Sequence, residues 1–270
     1  MSRFPIGVFD SGLGGLTAVR QLRRLMPSES IIYFGDTARV PYGNRSRDTL
    51  MKYARQDLRF LRTFQPKAVL IACGTVSTNC LHPLRSENDI PIVGVVEPAV
   101  RRAIAATRSG KVGLIATRAS VASGAYQDLF SQLAPHILVS SVACPLLVPL
   151  VEEGRFRPGD PVSETVVAEY LTPLRQQGVD TLVLGCTHYP LLSSIIQRFM
   201  GDDVTLVDVG AEAALSVRSL LSSRHQLAAC PQGDTSFFVS DRAEDFQRLA
   251  SIFLGDAIPC STKQIDISQY

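Results

Sequence analysis

Tryptophan is missing from this 270-residue chain, and only 7% of its residues are aromatic. Long apolar runs are missing too: no segment reaches the roughly 20 residues that a membrane helix needs. The opening Met1-Ser2-Arg3-Phe4-Pro5 has no apolar stretch of signal-peptide length. A cytoplasmic protein with no membrane partner is the expectation. Charge of one sign is also lacking. The net charge is +2, and Lys and Arg are dispersed rather than massed on a stripe, which argues against nucleic acid as a primary partner. Six cysteines occur (Cys73, Cys80, Cys144, Cys186, Cys230, Cys260), but never as Cys-x-x-Cys. Cys186-Thr187-His188 has no second ligand pair, so no metal site is expected. In a chain of this size without an export signal, the six read as reduced thiols rather than a disulfide framework. What remains is an ordinary globular composition, 46% hydrophobic and 19% charged, with length enough for two medium domains.

Short β-rich apolar runs alternate with longer amphipathic stretches. Strands are expected at 6–9, 31–34, 69–73 and 92–95, with helices at 16–25, 47–63, 78–86 and 97–108. This alternation predicts a parallel sheet flanked by helices. The pattern then restarts: Lys111 to Arg118 has the form of Phe4 to Ser11, an apolar strand ending in a polar residue before a turn. The expected fold is therefore α/β, with two similar domains, each a mainly parallel sheet flanked by helices, and an active site in the cleft between them. The first domain takes residues 1–97 plus 210–270 and the second takes 98–209. The last strand (235–239) and helix (243–254) are too short for a third domain and are expected to return to the first.

Two distant stretches share a design. Val69-Leu70-Ile71-Ala72-Cys73-Gly74-Thr75 and Thr181-Leu182-Val183-Leu184-Gly185-Cys186-Thr187-His188 each run an apolar strand into a cysteine with a hydroxyl nearby. Open α/β sheets bind ligands beyond the carboxyl ends of their strands. Two thiols there, one from each half, suit moving a proton through a carbon centre. The competing reading is that a cysteine in an apolar run is a small core hydrophobe. That reading is adopted for Cys80, Cys144, Cys230 and Cys260. For Cys73 and Cys186, helix amides and a nearby imidazole (His188) are expected to lower the thiol pKa from about 8.5 toward neutrality.

Asp10-Ser11-Gly12-Leu13-Gly14-Gly15 reads as a strand-to-helix turn whose bare amides face an anion. A dinucleotide fingerprint competes, with Asp36 at the right distance. Asp10, however, places a carboxylate where a pyrophosphate would lie, so a zwitterion fits better. A tight turn with a helix cap is the plain alternative. Asp36 to Gly43, with Pro41 and Gly43 as turn formers, is a candidate cleft wall. Glu152 and Glu153 read as a solvated helix end, from which one acid could reach the thiol–imidazole pair.

These motifs, together with Leu184-Gly-Cys-Thr-His-Tyr-Pro-Leu-Leu192, resemble glutamate racemase, in order from residue 6 to about 210. The resemblance implies Cys73 and Cys186 as proton-transfer thiols, assisted by Asp10 and His188, with Glu152 positioning His188. It assigns substrate contacts to Asp10, Ser11, Pro41, Tyr42, Gly43, Gly74, Thr75, Thr117, Ser120, Thr187 and His188. It further implies glutamate as substrate, no cofactor, a homodimer, and D-glutamate supplied to peptidoglycan synthesis. One departure stands out, because the family usually has Asn where this chain has Gly74. The competing functions are a two-thiol racemase acting on aspartate or another derivative, a cysteine–histidine hydrolase using Cys186 and His188, and a non-catalytic glutamate-binding protein.

Overall fold

The computed structural model of the chain describes residues 4–229, 233–255 and 262–270. Its strands are β1 (Ile6–Asp10), β2 (Ile31–Gly35), β3 (Ala68–Ile71), β4 (Ile92–Gly94), β5 (Lys111–Ala116), β6 (Leu138–Ala143), β7 (Thr181–Leu184), β8 (Thr205–Asp208), β9 (Thr235–Val239) and β10 (Lys263–Gln264). The helices are α1 (Leu16–Leu25), α2 (Arg47–Arg62), α3 (Gly74–Asn79), α4 (Leu81–Ser86), α5 (Val96–Ala106), α6 (Arg118–Ala122), α7 (Ala125–Leu133), α8 (Leu147–Glu152), α9 (Pro161–Gln176), α10 (Ser193–Met200), α11 (Val209–Ser223) and α12 (Ala243–Leu254).

Two parallel sheets result. One runs β10-β9-β2-β1-β3-β4 and the other β6-β5-β7-β8. Without its two tail strands the first sheet has the same order as the second: second, first, third, fourth. β1 and β5 are central strands buried between neighbours, and β1, β3, β4 and β7 are buried throughout, as parallel strands covered on both faces should be. The tail returns to the first sheet, with β9 pairing with β2 from Ile31↔Thr235 to Gly35↔Val239.

α1 packs on α11, and α11 on α5, so a helical layer joins the halves. One continuous apolar cluster, from Ile6 and Leu16 through Val100 to Leu184 and Val217, spans both sheets. A second cluster, around Phe34, Leu58, Phe60 and Ile71, covers the other face of the first sheet.

One expected helix is broken. Residues 78–86 belong to two helices that meet at Cys80, where the backbone leaves the helical region. Pro83 is the cause: it donates no N–H and its ring would strike the carbonyl of Asn79 in a continuous helix. In the first turn of α4 it is tolerated. Cys80 and Cys144 are fully buried, as expected of small core hydrophobes; Cys230 and Cys260 lie outside the described residues. Cys73, Cys80, Cys144 and Cys186 are all unbridged.

Candidate active site

The carboxyl ends of β1, β2 and β3 face those of β5 and β7 across a cavity of ≈ 280 Å³. Asp10, Ser11, Pro41, Tyr42, Gly43, Cys73, Gly74, Thr75, Thr117, Glu152, Cys186, Thr187 and His188 line it. Ser120 does not. It is fully buried one layer back, with its Oγ 3.0 Å from that of Thr117, and its amide donates to Thr117 Oγ1 at 3.3 Å. Its hydroxyl thus braces the wall rather than facing the cavity. Arg118 and Asn44 also line the cavity; their only sequence signal was adjacency to Thr117 and Gly43.

The two thiols have opposite surroundings. Cys73 is the residue before α3, with its Sγ 3.6 Å from Ser11 Oγ. The expectation of a lowered pKa fails here. Burial, reinforced by the Asp10 carboxylate, pushes this thiol up to about 12, against the opposing pull of the Val76 amide and Ser11. Desolvation disfavours a charged sulfur more than one short helix end favours it. Cys186 instead faces an imidazole: its Sγ lies 3.8 Å from His188 Nδ1, while Nε2 donates to Glu152 Oε1 at 3.1 Å. Although only two residues separate them, the turn after β7 folds the ring back onto the thiol. Burial alone would lower the His188 pKa. The hydrogen bonds and charges of Cys186 and Glu152 outweigh it and raise His188 to about 10. Glu152 is the last residue of α8, and only it of the acid pair reaches the ring. Phe253 of α12 closes the other side, edge-on to the imidazole at 5.4 Å.

Asp10 occupies its own turn. Its Oδ2 accepts the Gly12 amide at 3.1 Å, and the amides of Ser11 and Gly15 also pull its pKa down, as does His188, although burial wins and raises it. Amides already engaged by a carboxylate in their own turn do not cradle a pyrophosphate. Asp36 is likewise committed: it accepts from the Tyr42 and Ser240 hydroxyls and pairs with Arg39. The dinucleotide reading therefore fails at both ends.

The glycines of this turn have another purpose. A Cβ on Gly14 would lie 2.3 Å from Thr187 Oγ1 and 2.5 Å from His188 Nδ1. Only a hydrogen side chain lets the start of α1 touch the thiol–imidazole turn of the other half. Thr17 Oγ1, 3.1 Å from the Thr187 carbonyl, adds a polar contact across the same seam. Tyr42 turns its hydroxyl away from the cavity, to Asp36 and toward Asp57 (3.3 Å). Arg39 bridges both acids and Gln56. This buried cluster behind the wall had no sequence signature, because Gln56 and Asp57 sit within an otherwise ordinary amphipathic helix.

Comparison with known proteins covers nearly the whole chain. The family described as Asp/Glu/Hydantoin racemase matches residues 17–217. A glutamate racemase of Geobacter metallireducens is 45% identical, covering 93% of this chain and 92% of the relative. Among solved structures, a glutamate racemase from Bacillus anthracis superposes with a TM-score of 0.92 at 37% identity, over 97% of both chains. One from Francisella tularensis, in complex with D-glutamate, gives 0.92 at 35% identity over 100% of both. A cleft with a buried thiol from each of two equivalent half-sheets, carried on a fold shared over nearly the whole chain, leads to one assignment: the chain belongs to the Asp/Glu/hydantoin racemase family.

Proposed function

We propose that the chain interconverts L- and D-glutamate by two-base proton transfer between Cys73 and Cys186, with no cofactor. The observation that carries this reading is the pair of thiols from equivalent strand ends lining one cavity, with an acid beside one and an imidazole beside the other. Cys186, with its Sγ beside the His188 ring, acts as the base and takes the α-proton; the electron pair stays on the α-carbon and spreads into the substrate carboxylate. Cys73, protonated in its buried setting, then gives its S–H proton to the opposite face. The two sulfurs end with their protonation states exchanged, ready for the other enantiomer.

Charge developing in such a step needs fixed donors in a water-poor site. Ser11, Thr75, Thr117 and Thr187 provide hydroxyls, and the Pro41-Tyr42-Gly43 loop provides a wall. Ser120 would act through Thr117. Glutamate, the named substrate of the relatives, supports the choice of substrate. Optical rotation should fall toward zero from either glutamate enantiomer. A chain that racemises aspartate but not glutamate would overturn that choice. The family resemblance also supports a cytoplasmic homodimer whose D-glutamate feeds peptidoglycan synthesis. Among the described residues, no helix is long and apolar enough to cross a membrane.

Two expected results follow from the seam and the imidazole. Gly14→Ala should lower kcat by on the order of 10²-fold, the cost of misplacing a catalytic group by about 1 Å. Steady-state kinetics on the folded variant test this, and wild-type turnover would mean that α1 gives way instead of His188. Glu152→Gln should move the alkaline limb of the kcat/KM profile downward. The imidazolium is present below about 10 and is lost as pH rises through that value. Removing one of the two groups that hold the value up brings the loss closer to neutrality. An unchanged limb would remove Glu152 from this role.

A further inference from the structure

The cavity that holds both thiols opens at a charged rim. Cys73 and Cys186 are 4% and 6% exposed, whereas Pro41, Asn44 and Arg118, which line the same cavity, are exposed. Among the described residues that line it, Arg118 is the one lysine or arginine. It opens α6 directly after Thr117, whose Oγ1 lies 3.0 Å from that of Thr75 in the other half. α6 also packs against residues 42–44, so the arginine sits where the two halves meet. No carboxylate neutralises it: among the described residues Arg118 forms no ion pair. The two acids of the cavity are engaged elsewhere, Asp10 by the Gly12 amide at 3.1 Å and Glu152 by His188 Nε2 at 3.1 Å. The charge of Arg118 is felt by the Tyr170 phenol of α9, which burial holds above its ordinary value of 10. A neutral phenol offers no countercharge.

We propose that Arg118 binds the side-chain carboxylate of the substrate at the cavity mouth and so selects amino acids that carry a second negative charge. The proposal rests on the glutamate reading above. Glutamate has one ammonium and two carboxylates at neutral pH. Its α-carbon, with the ammonium and α-carboxylate attached, must lie beside the two buried sulfurs. The second carboxylate stands two methylenes farther out, and placing it against Asp10 or Glu152 would set like charges together. The Arg118 guanidinium offers that group a planar fork of N–H donors, which matches a carboxylate better than a single hydroxyl does. Glutamine has the same length but no charge there, so it gains nothing comparable from the arginine. The side-chain carboxylate keeps its charge throughout the reaction. Its contact with Arg118 is therefore equally strong before and during proton transfer, and losing it raises KM while sparing kcat.

The test is the initial rate with each glutamate enantiomer for wild type, Arg118→Gln and Arg118→Lys. Arg118→Gln should raise KM about tenfold or more, the lower end for a hydrogen bond to a charged group, and leave kcat close to the wild-type value. Arg118→Lys keeps the charge and loses only the fork, so it should restore most of the loss. The wild-type KM should rise with salt toward about 1 M, where charges are screened beyond about 3 Å. The Arg118→Gln KM should rise much less. Glutamine, added as a competing ligand, should bind wild type and Arg118→Gln equally, however weakly. Arg118 is exposed, so both variants should fold, as read by circular dichroism. An unchanged KM, a loss confined to kcat, or Arg118→Lys as impaired as Arg118→Gln overturns the proposal. A glutamine affinity that falls in step with that for glutamate also overturns it, because the arginine would then hold the α-carboxylate. A variant that fails to fold overturns it too, since the side chain would then be structural. Failure of the wild type itself to racemise glutamate takes down the functional reading and this proposal together, and is recognised from the wild type alone.

Discussion

Cys73→Ser and Cys186→Ser are each expected to lower racemisation by on the order of 10²–10⁴-fold, the range for removing a positioned general acid or base. A serine hydroxyl is far less acidic than a thiol and cannot serve as the base at neutral pH. One base cannot serve both faces of a carbon, so each replacement stops the full reaction even though the other thiol survives. The environments differ enough to separate the two variants. Cys73 sits in a pocket that keeps it protonated, near Asp10 and Ser11, whereas Cys186 has His188 and Glu152 behind it. In both variants the cavity and its hydroxyls remain, so substrate binding should change less than turnover. The measurement is the initial rate of change in optical rotation from each enantiomer. If both serine variants kept near-wild-type rates, the two-thiol mechanism would be wrong.

Lys67→Met is expected to cost roughly 3–5 kcal/mol of stability, the cost of stripping a buried charge of its partner. Lys67 and Glu29 form an ion pair whose side chains are each only 2% exposed. Lys67 Nζ also donates to the Gln226 carbonyl at 2.9 Å, and Glu29 Oε1 accepts the Ala228 amide at 2.8 Å. The pair therefore ties the chain before β2 and before β3 to the segment that follows α11. Methionine matches the stem of lysine but leaves Glu29 buried with no cation. The double variant Lys67→Met/Glu29→Leu removes both charges and should recover most of the loss, since well-packed apolar replacements of buried pairs are often near neutral. Urea denaturation followed by circular dichroism reads both. A single variant within about 1 kcal/mol of wild type, small against the usual cost of an unpaired buried charge, would show that Glu29 is relieved by another route. Because the pair lies at the opposite end of β3 from Cys73, the folded enzyme should retain its kcat.

Much of the architecture was legible along the chain. Strand and helix differ in the period of their apolar residues, and that period is a local property. The restart at Lys111 was readable for the same reason, and so was the placement of Cys73 and Cys186 just beyond two strands. The expectation of one helix over 78–86 runs straight through Pro83, whose ring and missing N–H end the first helix at Cys80. The glycine turn was located correctly but its reason was not. The close contact of Gly14 with His188 joins residues from opposite halves, and no local pattern records that distance. The same holds for Asp36 and Asp57 behind Tyr42, whose pairing depends on α2 lying against the cavity wall.

The sequence by itself determined which residues end the strands, and hence which thiols, hydroxyls and acids are available at one edge of each sheet, because backbone preference and apolar periodicity act over a few residues. Only the tertiary structure decided how those groups behave. Burial of Cys73 beside Asp10, the reach of Glu152 to His188, and the glycine contacts that bring the halves together all depend on distances and desolvation summed over segments far apart in the chain.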